Sequence, residues 1–122
     1  MLSPENYIKQ KARDLPIHEC WINSQWKNDG LAHIVIARIH SNENLTVGMY
    51  LVDLKCLGLK DTMYFFNKDL KDYQDILNKM KDQMSMEPAK YLLIHNIVFA
   101  GIEYAEDLGF EAHKDFKVTK YM

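Results

Sequence analysis

This chain is short of the residues that would make several explanations easy. Only two of its 122 residues are cysteine, Cys20 and Cys56, too few for a disulfide scaffold. Three prolines and five glycines leave no linker or low-complexity segment, and no repeat is visible, so residues 1–122 are expected to form a single domain. No charge of one sign dominates. With 15 basic against 17 acidic residues the formal net charge is -2, which removes any global electrostatic reason to expect a nucleic-acid or membrane surface. No stretch approaches the roughly 20 apolar residues of a membrane-spanning helix. The first fifteen residues carry Glu5, Lys9, Lys11, Arg13 and Asp14 and lack the apolar run of a signal peptide, so the expectation is a cytoplasmic protein with reduced thiols.

Metal-ligand spacing is also missing. His18, His33, His40, His95 and His113 occur singly, without H-x-x-x-H, H-E-x-x-H or C-x-x-C patterns, and no metal or other cofactor is expected. His113 and Asp115 would put two ligand types on one side of a strand; two groups alone make no site.

What the chain does have is pattern. Ser3 suits an N-cap and Pro4 the first helical position, with Tyr7, Ile8, Ala12 and Leu15 near one side, so a short helix is expected up to Pro16. Ile17 to Ile22 reads as extended, and Asn23 to Gly30 carries turn residues with Trp26 as an anchor. Leu31 to His40 and Leu45 to Leu54 are apolar, β-branched runs separated by Ser41-Asn42-Glu43-Asn44, a hairpin. A symmetric four-residue turn would set His40 opposite Leu45, Ile36 opposite Met49 and Ala32 opposite Asp53. Ile34, Ile36, Val47, Met49 and Leu51 would then share one face, and Val35, Ala37, Ile39, Tyr50, Val52 and Leu54 the other. Both faces are apolar, which calls for cover on both sides or for a partner that buries the second face. Gly48 marks a twist or a close approach. Thr62 to Phe66 reads as a further strand.

The second half is helical. Leu70, Tyr73, Leu77, Met80 and Met84 recur at spacings of 3 and 4 and Ile76 widens the stripe, predicting an amphipathic helix over about 69–84. A more apolar helix is expected from near Pro88 to Gly109, with Asn96, Glu103 and Asp107 on its narrow polar side, and a short strand over Phe116 to Tyr121. The expected fold is therefore α+β: an antiparallel sheet of three to five strands, with a short N-terminal helix and two C-terminal helices packed on it.

The strings "VGMYLVDLKCLGLKDTMYFF" and "HNIVFAGIEYAEDLGFEAHKDF", covering Gly48 to Asp61 and Tyr104 to Phe116 within them, resemble a bacterial protein family that pairs G-[VI]-[YF]-L-V-D-L-x-C-L-G-[VL]-K-D with Y-A-x-x-L-G-F-x-x-H-x-D-F. No activity is attached to that family, so the resemblance implies a shared fold and no chemistry. Some members are joined to SEC-C type metal-binding segments; the two cysteines here form no such cluster.

Three function classes compete. For nucleophilic catalysis, Cys56 follows a strand, His95 lies on the rim of the apolar helix as a base, Asp61 or Asp53 would orient the imidazole, and N–H groups around Gly58 would hold an oxyanion. The competing reading makes Cys56 a small buried hydrophobe, His95 a half-buried helix residue and Asp61 a turn cap. Asp53, Lys60, His113 and Asp115 complete the set of polar candidates near the two motif segments. For nucleic-acid binding, Lys68, Lys71, Lys79 and Lys81 alternate with Asp69, Asp72, Asp75 and Asp82, the pattern of a solvated helix face, and only Lys114, Lys117 and Lys120 form an acid-poor group. For an interaction module, the sheet is apolar on both faces and Met80, Met84, Met86, Trp21 and Trp26 supply adaptable contacts, so a protein partner or self-association is expected and no membrane. The reading carried forward is a small bacterial protein-binding or assembly module, with a Cys-His hydrolase and then a nucleic-acid-binding accessory domain as alternatives.

Overall fold

The computed structural model describes residues 2–55, 58–107, 109 and 116–122, except for the side chain of Ala105. Helix α1 (Pro4–Lys11) starts as its sequence dictates: the Ser3 hydroxyl accepts the Asn6 N–H at 3.2 Å, and Pro4 opens the first turn. A 3₁₀ turn, Ala12–Asp14, leads to β1 (Ile17–Asn23). One helical turn, α2 (Trp26–Asp29), then passes the chain to β2 (Leu31–Ile39), and β3 (Leu45–Asp53) and β4 (Gly58–Lys68) follow. Helix α3 (Leu70–Gln83) is capped by Asp69, whose carboxylate accepts the Asp72 N–H at 2.8 Å. After it come β5 (Met86–Pro88), α4 (Tyr91–Asp107) and a short α5 (Phe116–Thr119).

The strands form one antiparallel sheet in the order β4-β3-β2-β1-β5. It is an α+β fold with a short N-terminal helix and C-terminal helices packed on the sheet, as the sequence pattern implies. Pro88 lies in the fifth strand instead of opening the second long helix: the extended bias it imposes on Glu87 is used to pair β5 with β1. The segment from Phe116 is helical where a strand is predicted. Lys120 N–H bonds Phe116 O at 3.0 Å, and Phe116, Val118 and Thr119 are all buried, which an alternating strand with one exposed face would not produce.

Register is the main correction. The β2–β3 loop has three residues, not four. His40 N–H bonds Asn44 O at 2.8 Å, Glu43 N–H bonds His40 O at 2.9 Å, and Glu43 takes a left-handed φ of 68°. Ile39 therefore faces Leu45, Ile36 faces Gly48 and Ile34 faces Tyr50, one residue out from the symmetric register. A slip of one residue moves every side chain of one strand to the other face. Hence Ala32, Ile34 and Ile36 share a face with Tyr50 and Val52, while Val35 and Ala37 share theirs with Val47 and Met49.

The helices divide between these faces. On the first, Ile8 of α1, Ile94, Ile97, Val98 and Ile102 of α4, and Phe116 and Val118 of α5 bury Ala32, Ile34, Ile36, Tyr50, Val52 and Leu59. Two close approaches seat that layer. A Cβ on Gly101 would stand 2.6 Å from Val52 Cγ1, and one on Gly48 would stand 3.0 Å from both Met122 Cγ and the Tyr50 hydroxyl. The buried Arg38 ties the layer down, with Nε donating to Met122 O and Nη1 to Leu15 O, both at 2.7 Å, and the Tyr91 ring 5.1 Å away. Among the described residues the second face is covered by α3 alone, through Tyr73 and Leu77 on Val35, Ala37, Leu45 and Val47. The two long helices thus pack on opposite faces, α4 on the first and α3 on the second. Among the described residues no helix is long and apolar enough to cross a membrane.

Candidate functional site

Helix α3 seats its central residues over β1, β2 and the start of β3. Tyr73 donates to Glu19 Oε1 at 2.5 Å and Lys81 Nζ sits 4.1 Å above the Trp21 ring, both contacts reaching β1. Burial and the Glu19 carboxylate push the Tyr73 phenol pKa well up, so it acts as a fixed neutral donor. The other flank of α3 carries Asp72, Asp75, Ile76, Lys79 and Met80 at spacings of 3, 1, 3 and 1, a single helical stripe turned toward β4.

Below that flank lie the odd-numbered residues of β3 and β4. Met49 pairs with Met63, Leu51 with Asp61 and Val47 with Phe65, so their side chains share the α3 face. Between this floor and the α3 flank runs an open groove in two adjoining hollows. One, of about 170 Å³, is lined by His33, Met49, Leu51, Asp61, Met63 and Met80; the other, of about 360 Å³, by Phe65, Lys68, Asp72, Asp75, Ile76 and Lys79. Met63 is 46% exposed, and Met49, Leu51, Phe65, Ile76 and Met80 are half-buried. Carboxylates and ammonium groups alternate along the rim. Burial holds the His33 imidazole pKa below its ordinary value, with Asp29 pulling the other way, so the His33 side chain is neutral near pH 7.

Edge strand β4 is shielded against strand addition. Register shifts occur between Leu51 and Val52 and between Leu45 and Val47, leaving Lys60 as an extra, exposed residue near one end. Asp61 Oδ1 accepts the Thr62 N–H at 2.9 Å, satisfying an amide at the exposed margin, and Asn67 turns left-handed at φ 55°. Bulges and an inward-turned charge are the devices that keep a sheet edge from pairing.

The sequence candidates fall in different places. Cys56, His113 and Asp115 lie outside the described residues. His95 is on α4, on the first face of the sheet, stacked on Phe99 at 4.4 Å between centroids with Tyr91 at 5.8 Å. Burial, then the nearby Arg13 charge, lowers its pKa. Asp61 and Asp53 project to the second face. Asp61 therefore does not orient His95, because the sheet stands between them. Asp53 Oδ1 accepts the Lys55 N–H at 3.0 Å, a local turn bond. Asp61 and His33 do come together, at one end of the groove. Among the described residues, no three His, Cys, Asp or Glu side chains cluster as metal ligands. The groove itself was only partly visible in the sequence: Ile76 and Met80, off the axis of Tyr73 and Leu77, signal a second apolar flank of the helix, and Met63 with Phe65 signals its floor.

No protein-family model matches the chain, and neither a curated protein nor a solved structure does.

Proposed function

We propose that this domain is a protein-binding module whose groove between α3 and the β3–β4 half of the sheet receives an amphipathic helix of a partner. The supporting observation is the floor of Met49, Leu51, Met63 and Phe65, left partly exposed beside a helix flank that ends its apolar stripe in Ile76 and Met80. Methionine side chains are long, unbranched and polarizable, and grooves built from them adapt to varied apolar ligands. A second helix laid beside α3 would complete an ordinary two-helix layer on this face. Strand addition is opposed by the shielding of β4, and a nucleic-acid ligand by Asp61, Asp72 and Asp75 on the rim.

Selection from a displayed library of helical amphipathic peptides tests this reading. Enriched peptides are expected to carry apolar residues at i, i+4 and i+7 and to perturb the NMR signals of Met49, Met63 and Met80. Met63→Glu should weaken them by about tenfold or more, the cost of placing a charge in an apolar contact. Absence of any enriched peptide, or binding indifferent to Met63→Glu, would exclude the groove as a helix receptor.

A further inference from the structure

The outer side of α4 carries apolar surface that the groove does not use. Ile94, Ile97, Val98 and Ile102 face the sheet, yet Leu92 is 70% exposed, Leu93 42% and Tyr104 44%. With Asn96 and Ala100, also exposed, they fill an arc of about 120° at the 100° per residue of an α-helix. The charges on this side of the helix, Glu103 and Asp107 lying within the arc, are segregated along the axis. Lys90 stands just before the first turn, while Glu103, Glu106 and Asp107 crowd the last. That placement opposes the helix dipole at both ends and is unfavourable for an isolated helix.

We infer that α4 is a self-association surface, on which a second copy of this chain docks its own α4 antiparallel about a two-fold axis near the level of Val98. In that arrangement Leu93 of each copy covers Tyr104 of the other, Lys90 of each copy reaches Asp107 of the other, and each acidic helix end lies beside the partner's positive N-terminus. Small Ala100 and slender Asn96 meet at the centre, where helix axes must come within about 8–10 Å. A parallel pairing would stack the acidic ends on each other. The charge pattern thus complements itself in one orientation only. One helix against one helix is a small contact, so the dimer belongs to the weak, concentration-dependent class. The surface lies across the sheet from the groove, and the two readings fail independently.

Sedimentation over a concentration series from about 1 µM to about 1 mM, the range in which weak dimers dissociate, tests the inference. The wild type is expected to shift from monomer to dimer. Leu92→Glu, at an exposed position that leaves the core untouched, should weaken the dimer by about tenfold or more. Lys90→Glu and Asp107→Lys should each weaken it, and the double reversal should restore it, a result only an antiparallel pairing explains. A protein that stays monomeric throughout, a dimer indifferent to Leu92→Glu, or a double reversal no better than its parents would overturn the inference.

Discussion

The two faces of one sheet are treated differently by the same chain. The face bearing Ala32, Ile34, Ile36, Tyr50 and Val52 is sealed by α1, α4 and α5, whereas the face bearing Val35, Ala37, Val47 and Met49 has, among the described residues, α3 alone. Geometry explains the difference in cover. A helix is about 10 Å across and strands are about 4.8 Å apart, so one helix shields two to three strands and five need more. The first face has enough cover to exclude water; the second does not, and β3 and β4 keep an apolar surface beside α3. Apolar alternation on both faces is thus no proof that both are closed.

Core truncations are the strongest way to break this contrast. Ile94→Ala, in the sealed layer, should cost near the top of the range of about 2–5 kcal/mol for such deletions, because Ile94 is fully buried in a layer that α1, α4 and α5 close and that has little freedom to collapse. Leu77→Ala, beside the open groove, should fall near the bottom, since Met80 and Met49 have room to move in. Chemical denaturation measures both, and the reverse order would refute the contrast. Arg38→Met should follow at about 2–4 kcal/mol, through the loss of two charge-assisted bonds in the sealed layer: Leu15 O loses its Arg38 donor and Met122 O keeps the Tyr91 hydroxyl.

Titration effects come next. Burial pushes the Cys20 thiol up to about 11 from 9.0. The unfolded chain releases that proton first, so between about pH 9 and 11 the unfolded state binds fewer protons and stability falls as pH rises. In a Cys56→Ser variant, labelling of Cys20 should track global unfolding; rapid labelling of the native protein would show that the sealed face is not sealed. His33, His40 and His95 have pKa values held below 6.5, chiefly by burial, so as pH drops below 6.5 the unfolded chain takes up protons first and stability declines. His33→Asn and His95→Asn, one on each face, should each reduce that decline in pH-dependent melting.

Met63→Glu should have the smallest effect, within about 0.5 kcal/mol, because the residue is half exposed and covers nothing in the core. A larger loss by thermal melting would mean that the groove is part of the folding core instead of a surface.

Local chemistry was legible where it acts at short range. Ser3 with Pro4 marked the start of α1, and the 3 and 4 spacing of Tyr73, Leu77 and Met80 marked α3. The register of β2 on β3 was not, because a three-residue and a four-residue turn are both compatible with Ser41-Asn42-Glu43-Asn44, and left-handed Glu43 selected the shorter. The pairing of Asp61 with His95 read plausibly along the chain and fails in space, because alternation sends Asp61 to the face that α4 does not occupy.

By itself the sequence determined α1, the β2–β3 hairpin, α3, the body of α4 and the apolar character of both sheet faces, since these follow from periodicity, caps and turn residues acting within a few positions; β5 at Pro88 and the helix at Phe116 did not follow from it. Only the tertiary structure decided which helix covers which face, and therefore that the β3–β4 half beside α3 and the outer side of α4 stay exposed. The physical reason is that burial is a competition for area among elements far apart in the chain, and no local pattern records its outcome.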